Sequence, residues 1–386
     1  MEKTRVLLAG IGGYGSLYLN ELLDAKDPSF VFAGAADPFA ASSPRFGELG
    51  KRDIPVFNTP EEFFASGGKA ELSVISSPIH THYPYTITCF ENRSNVLCEK
   101  PVTGDLARLD DLIDREEKSG LFCAVGFQFC FAPDTLALKK DIMDGVFGKP
   151  LDFKCYEFPV RGDKYYSRNN WAAKLVIEGE TILDSPLNNA CSHDLQLMLF
   201  LSGNDMKSSA EVISVEAELW QARPEIENFD AAALKAVTKD GVTLHFYTAH
   251  CIEADDAGPY GEFRFENALI RWEEKKSSGF TACFNDGRIK SYKELHKDNI
   301  LQKFYQSLET INSGMPPLCT LKTVRDHLKC VVEAGNFPVR KIPREKVIYD
   351  KTANPENPHY SVPDLGAALL RSYKEGVLPS ETGFKI

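Results

Sequence analysis

Six residues near the start of the chain, Gly10, Ile11, Gly12, Gly13, Tyr14 and Gly15, constrain the fold more than any other feature. They follow an apolar run at 6–9 and lead into an amphipathic stretch at 16–23. A strand that turns on glycine into a helix leaves amide N–H groups and the helix dipole facing outward, an arrangement that receives a pyrophosphate. Glycine-rich turns are common, so the motif needs its context, and Asp37 supplies it. Asp37 ends the second apolar run, 30–36, and lies 22 residues beyond Gly15. A carboxylate there accepts hydrogen bonds from a ribose and repels a 2′-phosphate. Together these features predict a dinucleotide site that takes NAD in preference to NADP, with Arg45 the one basic residue in that loop that could favour a phosphate.

Further apolar runs at 72–76, 96–98 and 121–126 alternate with helical stretches such as 84–91. Alternation at this spacing predicts a doubly wound parallel sheet, an α/β Rossmann domain over 1–128. After Pro133 the pattern changes. A helix is expected at 135–144, ended by Gly145 and by Gly148, Lys149 and Pro150. Apolar residues then alternate with polar ones around Val215, Ala217 and Leu219, around Val242, Leu244 and Phe246, and at Phe263 and Phe265. Period two predicts half-buried strands, so residues 129–386 read as an α+β substrate and oligomerisation domain with a large open, mainly antiparallel sheet. An apolar helix is expected at 195–201 and two late helices at 300–311 and 321–334, the second packing back toward the Rossmann domain. The tail beyond Arg340 is expected to wrap the surface as far as a short helix near 365–375. A chain of 386 residues suits two cores better than one.

The net charge is −11 and no Lys/Arg-rich run occurs, which argues against a nucleic-acid or anionic-membrane partner. No apolar run is long enough to span a bilayer, and the N-terminus lacks a signal-peptide layout. The ten cysteines are scattered without a CxxC pair, so no metal site is expected. Free thiols in such number point to the cytoplasm. An open sheet needs covering, which predicts a homo-oligomer, a dimer or a tetramer.

Glu99, Lys100 and Pro101 follow the run at 96–98. Ligands of open α/β sheets lie beyond the carboxyl ends of strands. Lys100 is therefore placed to hydrogen-bond a hydroxyl and to stabilise oxyanion charge, although a Lys–Pro after a strand is by itself more often a solvated loop. Ser77, Pro78, Ile79, His80, Thr81 and His82 follow the third run, and Gly126, Phe127 and Gln128 stand at the crossover between domains.

Taken in order, these motifs resemble the glucose–fructose oxidoreductase/inositol dehydrogenase/rhizopine catabolism (Gfo/Idh/MocA) family over roughly residues 4–340. The resemblance implies a Rossmann domain joined to an open-faced sheet domain, NAD(P) as cofactor and a sugar, glycoside or polyol as substrate. It matches Lys100 to the motif lysine. Gly10, Gly12, Gly13, Tyr14, Gly15, Asp37, Ser77, Pro78, His82, Glu99, Lys100 and Gln128 are the cofactor-binding candidates.

A second constellation runs from Asp184 to His193. The family usually has an Asp four residues before the matching His; here that position is Asn189. Residues four apart share a helix face, so Asn189 and His193 are both expected to meet substrate. Asn can position a hydroxyl but cannot take its proton, which leaves general-base work to His193 with Lys100 assisting. A histidine heading an apolar helix is otherwise the mark of a packed core residue. Cys130 stands where the family often has arginine and Cys191 where it usually has glycine, which suggests a divergent branch. The segment 161–171 mixes Arg161, Tyr165, Tyr166, Asn169 and Trp171, aromatic faces and polar donors that suit a sugar as well as they suit a packed loop. The reading is an NAD-dependent dehydrogenase acting on a CH–OH carbon. Two alternatives remain open: a redox-neutral NAD-dependent glycosidase or lyase, or a glycoside C3-oxidising enzyme, with NAD retained; and a non-catalytic NAD(H)-binding sensor or scaffold.

Overall fold

The computed structural model describes residues 3–386 except 27–28, 254–257, 274–276, 293–299 and 353. It divides into two compact units: Met1–Phe131 with Asp298–Val324, and Ala132–Lys297 with Arg325–Ile386.

The first unit alternates β1 (Thr4–Ala9), α1 (Gly15–Asp24), β2 (Phe30–Ala36), α2 (Phe46–Lys51), β3 (Val56–Phe57), α3 (Pro60–Ala65), β4 (Leu72–Ile75), α4 (His82–Glu91), β5 (Asn95–Cys98), α5 (Leu106–Ser119) and β6 (Cys123–Val125). Its strands form one parallel sheet in the order β3-β2-β1-β4-β5-β6. This is the doubly wound Rossmann arrangement. Val6, Leu8, Leu72, Val74, Val96 and Leu97 are fully buried, as strands covered on both faces require. The two-residue β3 gave no apolar run long enough to be read from sequence.

In the second unit α6 (Pro133–Met143) precedes β7 (Pro150–Glu157), the short helix α7 (Asp163–Tyr166), the small hairpin of β8 (Val176–Ile177) and β9 (Glu180–Thr181), and α8 (Ser192–Leu201). Then come β10 (Val212–Gln221), β11 (Ala231–Thr238), β12 (Thr243–Ala249), β13 (Tyr260–Phe265), β14 (Ala268–Glu273), β15 (Ser277–Phe284) and β16 (Ile289–Tyr292). Helix α9 (Gln302–Ser313) belongs to the first unit, and α10 (Leu321–Ala334) begins there and runs into the second. The chain ends with β17 (Val339–Lys341), β18 (Ile348–Asp350), β19 (His359–Ser361) and α11 (Leu365–Glu375).

A nine-stranded sheet runs β16-β15-β14-β13-β7-β12-β11-β10-β17, antiparallel except for β7–β12 and β10–β17. Its apolar face carries Phe153, Phe246, Leu244 and Leu234, and α8 packs on β7. Lys139 of α6 is fully buried and donates to the carbonyls of Phe200 and Ser208, meeting the negative end of α8. The opposite face is divided. Over one half, Tyr156, Trp220 and Tyr247 pack with Leu365, Leu369, Tyr373 and Leu378 of the C-terminal segment. The short helix expected near 365–375 is α11, and of the stretch expected to wrap the surface before it, Ile342 and Val362 join the same core. Over the other half lie Lys154, Lys235, His245 and Arg264, bordering an open cavity of about 480 Å³.

Candidate functional site

Within the first unit, Gly10 has φ +85°, and a Cβ there would lie 2.6 Å from the Ser77 nitrogen; a Cβ on Gly15 would lie 2.0 Å from the Gly10 carbonyl oxygen. Only glycine allows the turn to close so tightly against β4 and α1. Gly12 and Gly13 face open space and are exposed at the N-terminus of α1. Asp37, half-buried at the end of β2, accepts from the Ile11 amide at 2.9 Å and the Phe39 amide at 2.8 Å. Each carboxylate oxygen keeps a lone pair for a hydroxyl. Arg45 turns elsewhere: it bonds Asp24 and Glu48 at 2.5–2.8 Å and Asn20 at 3.0 Å. Open amides at a helix start beside a ribose-ready carboxylate fit an NAD.

His82 heads α4 and is buried, with its ring nitrogens 2.8 Å from the carbonyl oxygens of Pro101 and Ser77. Its side chain therefore ties the 77–82 turn to the Lys100–Pro101 segment. Ser77 shares a hydrogen with Thr81 at 2.5 Å, and the Tyr14 hydroxyl lies 3.5 Å from Gln128.

Glu99 is the centre of a buried cluster. It accepts from the Tyr18 hydroxyl and from Lys303 of α9, each at 2.5 Å. Lys303 is wholly enclosed and also donates to the Tyr14 hydroxyl at 3.0 Å and to the Gly126 carbonyl at 3.2 Å. Burial pulls its pKa down, but Glu99 and Tyr14 outweigh burial and the net shift is upward. Burial, with Glu99 adding to it, pushes the Tyr18 phenol far up. The amide of the next residue, Lys100, lies 3.4 Å from Glu99 Oε2. Lys100 itself is half-buried at the carboxyl end of β5.

In the second unit the structure corrects one expectation. Asn189 and His193 do not share a helix. Asn189 lies in a wide helical turn, Pro186–Ala190, which ends at Cys191, with φ −115° and ψ 17°; His193 sits half-buried in the first turn of α8. The Asn189 amide donates to Asp184 Oδ1 at 2.7 Å. Asp184, 2% exposed, also takes the Ala173 amide at 2.5 Å and faces Arg168 at 3.7 Å. Arg168 stacks on Tyr165 and Trp171, with its guanidinium carbon 3.7 and 4.9 Å from their ring centroids. Asn169 caps the Trp171 amide at 3.1 Å. The Tyr166 hydroxyl bonds His250 at 2.9 Å, and Arg223 covers the Tyr166 ring. The structure therefore joins Tyr165, Trp171 and Asn189 through Arg168 and Asp184.

A family model described as an oxidoreductase family with an NAD-binding Rossmann fold matches residues 4–127. An inositol 2-dehydrogenase of Mycolicibacterium smegmatis is 30% identical over 40% of this chain, and the match spans only 44% of that relative's length. The myo-inositol 2-dehydrogenase of Thermotoga maritima is 31% identical over 81% of this chain and 90% of its own. The chain belongs to the Gfo/Idh/MocA oxidoreductase family. The solved WlbA dehydrogenase from Bordetella pertussis, in complex with NADH and UDP-GlcNAcA, covers 88% of this chain and 99% of its own with a TM-score of 0.70. At 17% identity that likeness shows the fold alone.

Against the usual Gfo/Idh/MocA pattern, a carboxylate is still present near position 189. It comes from Asp184, five residues earlier and hydrogen-bonded to Asn189, within a run the sequence already singled out. Lys303 had no such signal: it lies 204 residues from Glu99, in a helix whose apolar periodicity says nothing about where one lysine points.

Proposed function

We propose that this chain is an NAD-dependent oxidoreductase acting on a CH–OH carbon of a sugar, glycoside or polyol, the first unit holding the dinucleotide and the second the substrate. The observation that carries the reading is the open 10–15 loop at the start of α1, joined to Asp37 at the end of β2. In the proposal Gly10 to Gly15 hold the pyrophosphate and Asp37 the adenine ribose. Ser77, Pro78, Glu99 and Gln128 border the rest of the cofactor, with His82 fixing the 77–82 turn. NAD, when bound, supplies the carbon that accepts hydride.

Lys100 carries a positive charge at the carboxyl end of β5, where it would stabilise alkoxide character on the substrate oxygen. His193 would take the hydroxyl proton, and Asn189, oriented by Asp184, would position that hydroxyl. Tyr165, Tyr166, Asn169 and Trp171 complete the substrate contacts, with Arg161. All ten cysteines are free thiols, which supports a cytoplasmic location. The half of the open sheet face not covered by α11 supports a homo-oligomer, a dimer or a tetramer.

The test is turnover on a panel of glycosides, hexoses and inositols with NAD, following NADH absorbance and product mass. An oxidised sugar with equimolar NADH is expected. A hydrolysed glycoside without NADH would mean a redox-neutral cycle, and binding of NADH without any product would mean a sensor.

A further inference from the structure

Tyr165 lies beneath two guanidinium groups. Arg168 stands 3.7 Å from its ring centroid and Arg161 4.9 Å. The two are not equivalent. Arg168 faces Asp184 at 3.7 Å, and Arg223, the third guanidinium of the neighbourhood, is held by Asp163 at 2.8 Å. Arg161 has no carboxylate partner among the described residues, and its Nε is buried without a hydrogen-bond acceptor there. The Tyr165 hydroxyl likewise has no hydrogen-bond partner among the described residues.

A guanidinium cannot escape by losing its proton, as a buried lysine can. A buried donor left without an acceptor is costly, the more so when it is charged. The surroundings yield to this charge instead of cancelling it. Burial first, then Arg161, Arg168 and Arg223, hold His250 well below its ordinary 6.5, so the imidazole stays neutral and adds no further cation. The planar fork of arginine matches carboxylate and phosphate oxygens. Asp184 links this place to Asn189, taking the Asn189 amide at 2.7 Å while it faces Arg168.

We propose that Arg161, with Arg168 beside it on the Tyr165 ring, forms a subsite for an anionic substituent of the substrate, a carboxylate or a phosphate monoester. The substrate is then an acidic sugar or polyol derivative, not a neutral one. This rests on the reading that the 161–171 segment faces substrate.

The experiment uses the full chain saturated with NADH for binding, or with NAD for turnover. Uronic acids, hexose phosphates and their neutral parent sugars are titrated by calorimetry and assayed for NADH formation. At least one acid is expected to bind about tenfold or more tighter than its parent, and whether uronates or phosphates lead identifies the anion. Arg161→Gln is expected to weaken that acid by about ten- to hundredfold, bringing the acid-to-neutral ratio toward one. Arg161→Lys, which keeps charge but loses the fork, falls between. Neutral sugars binding as well as every acid, or an unchanged ratio in a folded Arg161→Gln chain, overturns the subsite. The two readings fail separately. Acid binding through Arg161 without NADH formation sinks the oxidoreductase and leaves the subsite. NADH formation with a ratio of one does the reverse.

Discussion

Lys303 in the first unit is a wholly enclosed cation and Arg161 in the second a half-buried one, and their surroundings treat them in opposite ways. Lys303 is closed in by Glu99, Tyr14 and the Gly126 carbonyl, all from its own unit, so every donor direction is met from within. Arg161 has an aromatic ring beneath it and no carboxylate partner among the described residues. A cation satisfied by its own chain is part of the scaffold, whereas one left with open donors is available to something that binds. The same contrast separates Glu99 from its neighbour Lys100. Glu99 is used inside the protein, and its grip on Lys303 fixes the segment from which Lys100 projects.

The sharpest way to break this contrast is to remove both charges in turn. Lys303→Met leaves Glu99 buried against Tyr18 without its counterion and is expected to destabilise the fold by about 3–5 kcal/mol in urea unfolding. A second change, Glu99→Gln, should recover much of that loss. Arg161→Met, which removes a buried donor that has no acceptor among the described residues, is expected to leave stability unchanged or to raise it. Equal losses for Lys303→Met and Arg161→Met would mean that Arg161 is also structural.

Lys100→Ala should lower turnover by about 10²–10³ while NADH affinity, read by fluorescence titration, changes less than about tenfold. If NADH binding collapses and saturating cofactor restores the rate, Lys100 serves the cofactor and not the substrate.

His245 sharpens the comparison as an intermediate case. It is buried, both ring nitrogens lack hydrogen-bond partners among the described residues, and Lys235, Lys154, Asp152 and Glu381 surround it. Burial, reinforced by Lys235, lowers its pKa from 6.5 to about 4. The folded protein therefore holds the neutral ring. Its contribution to stability is complete above pH 6.5 and is lost as pH falls from 6.5 toward 4, while the unfolded chain takes up a proton that the folded one refuses. Over that window His245→Gln should flatten the stability profile by about 1–3 kcal/mol relative to the parent. Parallel profiles for the two proteins would show that His245 titrates normally.

Asp37 bears on the choice of cofactor. Asp37→Ala should shift the NAD-to-NADP binding ratio by about tenfold toward NADP, since Arg45 is already committed to Asp24 and Glu48. An unchanged ratio in calorimetry would place the ribose elsewhere.

The first unit was legible because its signals are local. Period and turn chemistry at 6–15 follow from short-range sterics and from burial on both faces of a parallel sheet, and Asp37 ends a strand that the same rule identifies. The mainly antiparallel sheet of the second unit was readable for the same reason, from alternation at Val215, Val242 and Phe263. Where sequence reasoning failed, it applied a local rule across a local break. Asn189 and His193 are four apart, yet Cys191 leaves the helical region between them. The helix at 365–375 was legible, but no pattern within it names the sheet that Leu365, Leu369 and Tyr373 cover.

By itself, then, the sequence determined the two kinds of sheet, the glycine turn with its carboxylate, and the position of Lys100 at a strand end. Only the tertiary structure decided which charges meet. Lys303 reaches Glu99 across 204 residues, Asp184 takes up Asn189 where the family's aspartate is missing, and Arg161 is left with a ring and, among the described residues, no counterion. The physical reason is one of range. Backbone sterics and burial periodicity act over a few residues and are written in each segment, whereas an ion pair forms only when the packing of distant elements brings two particular side chains within about 4 Å and removes the water between them.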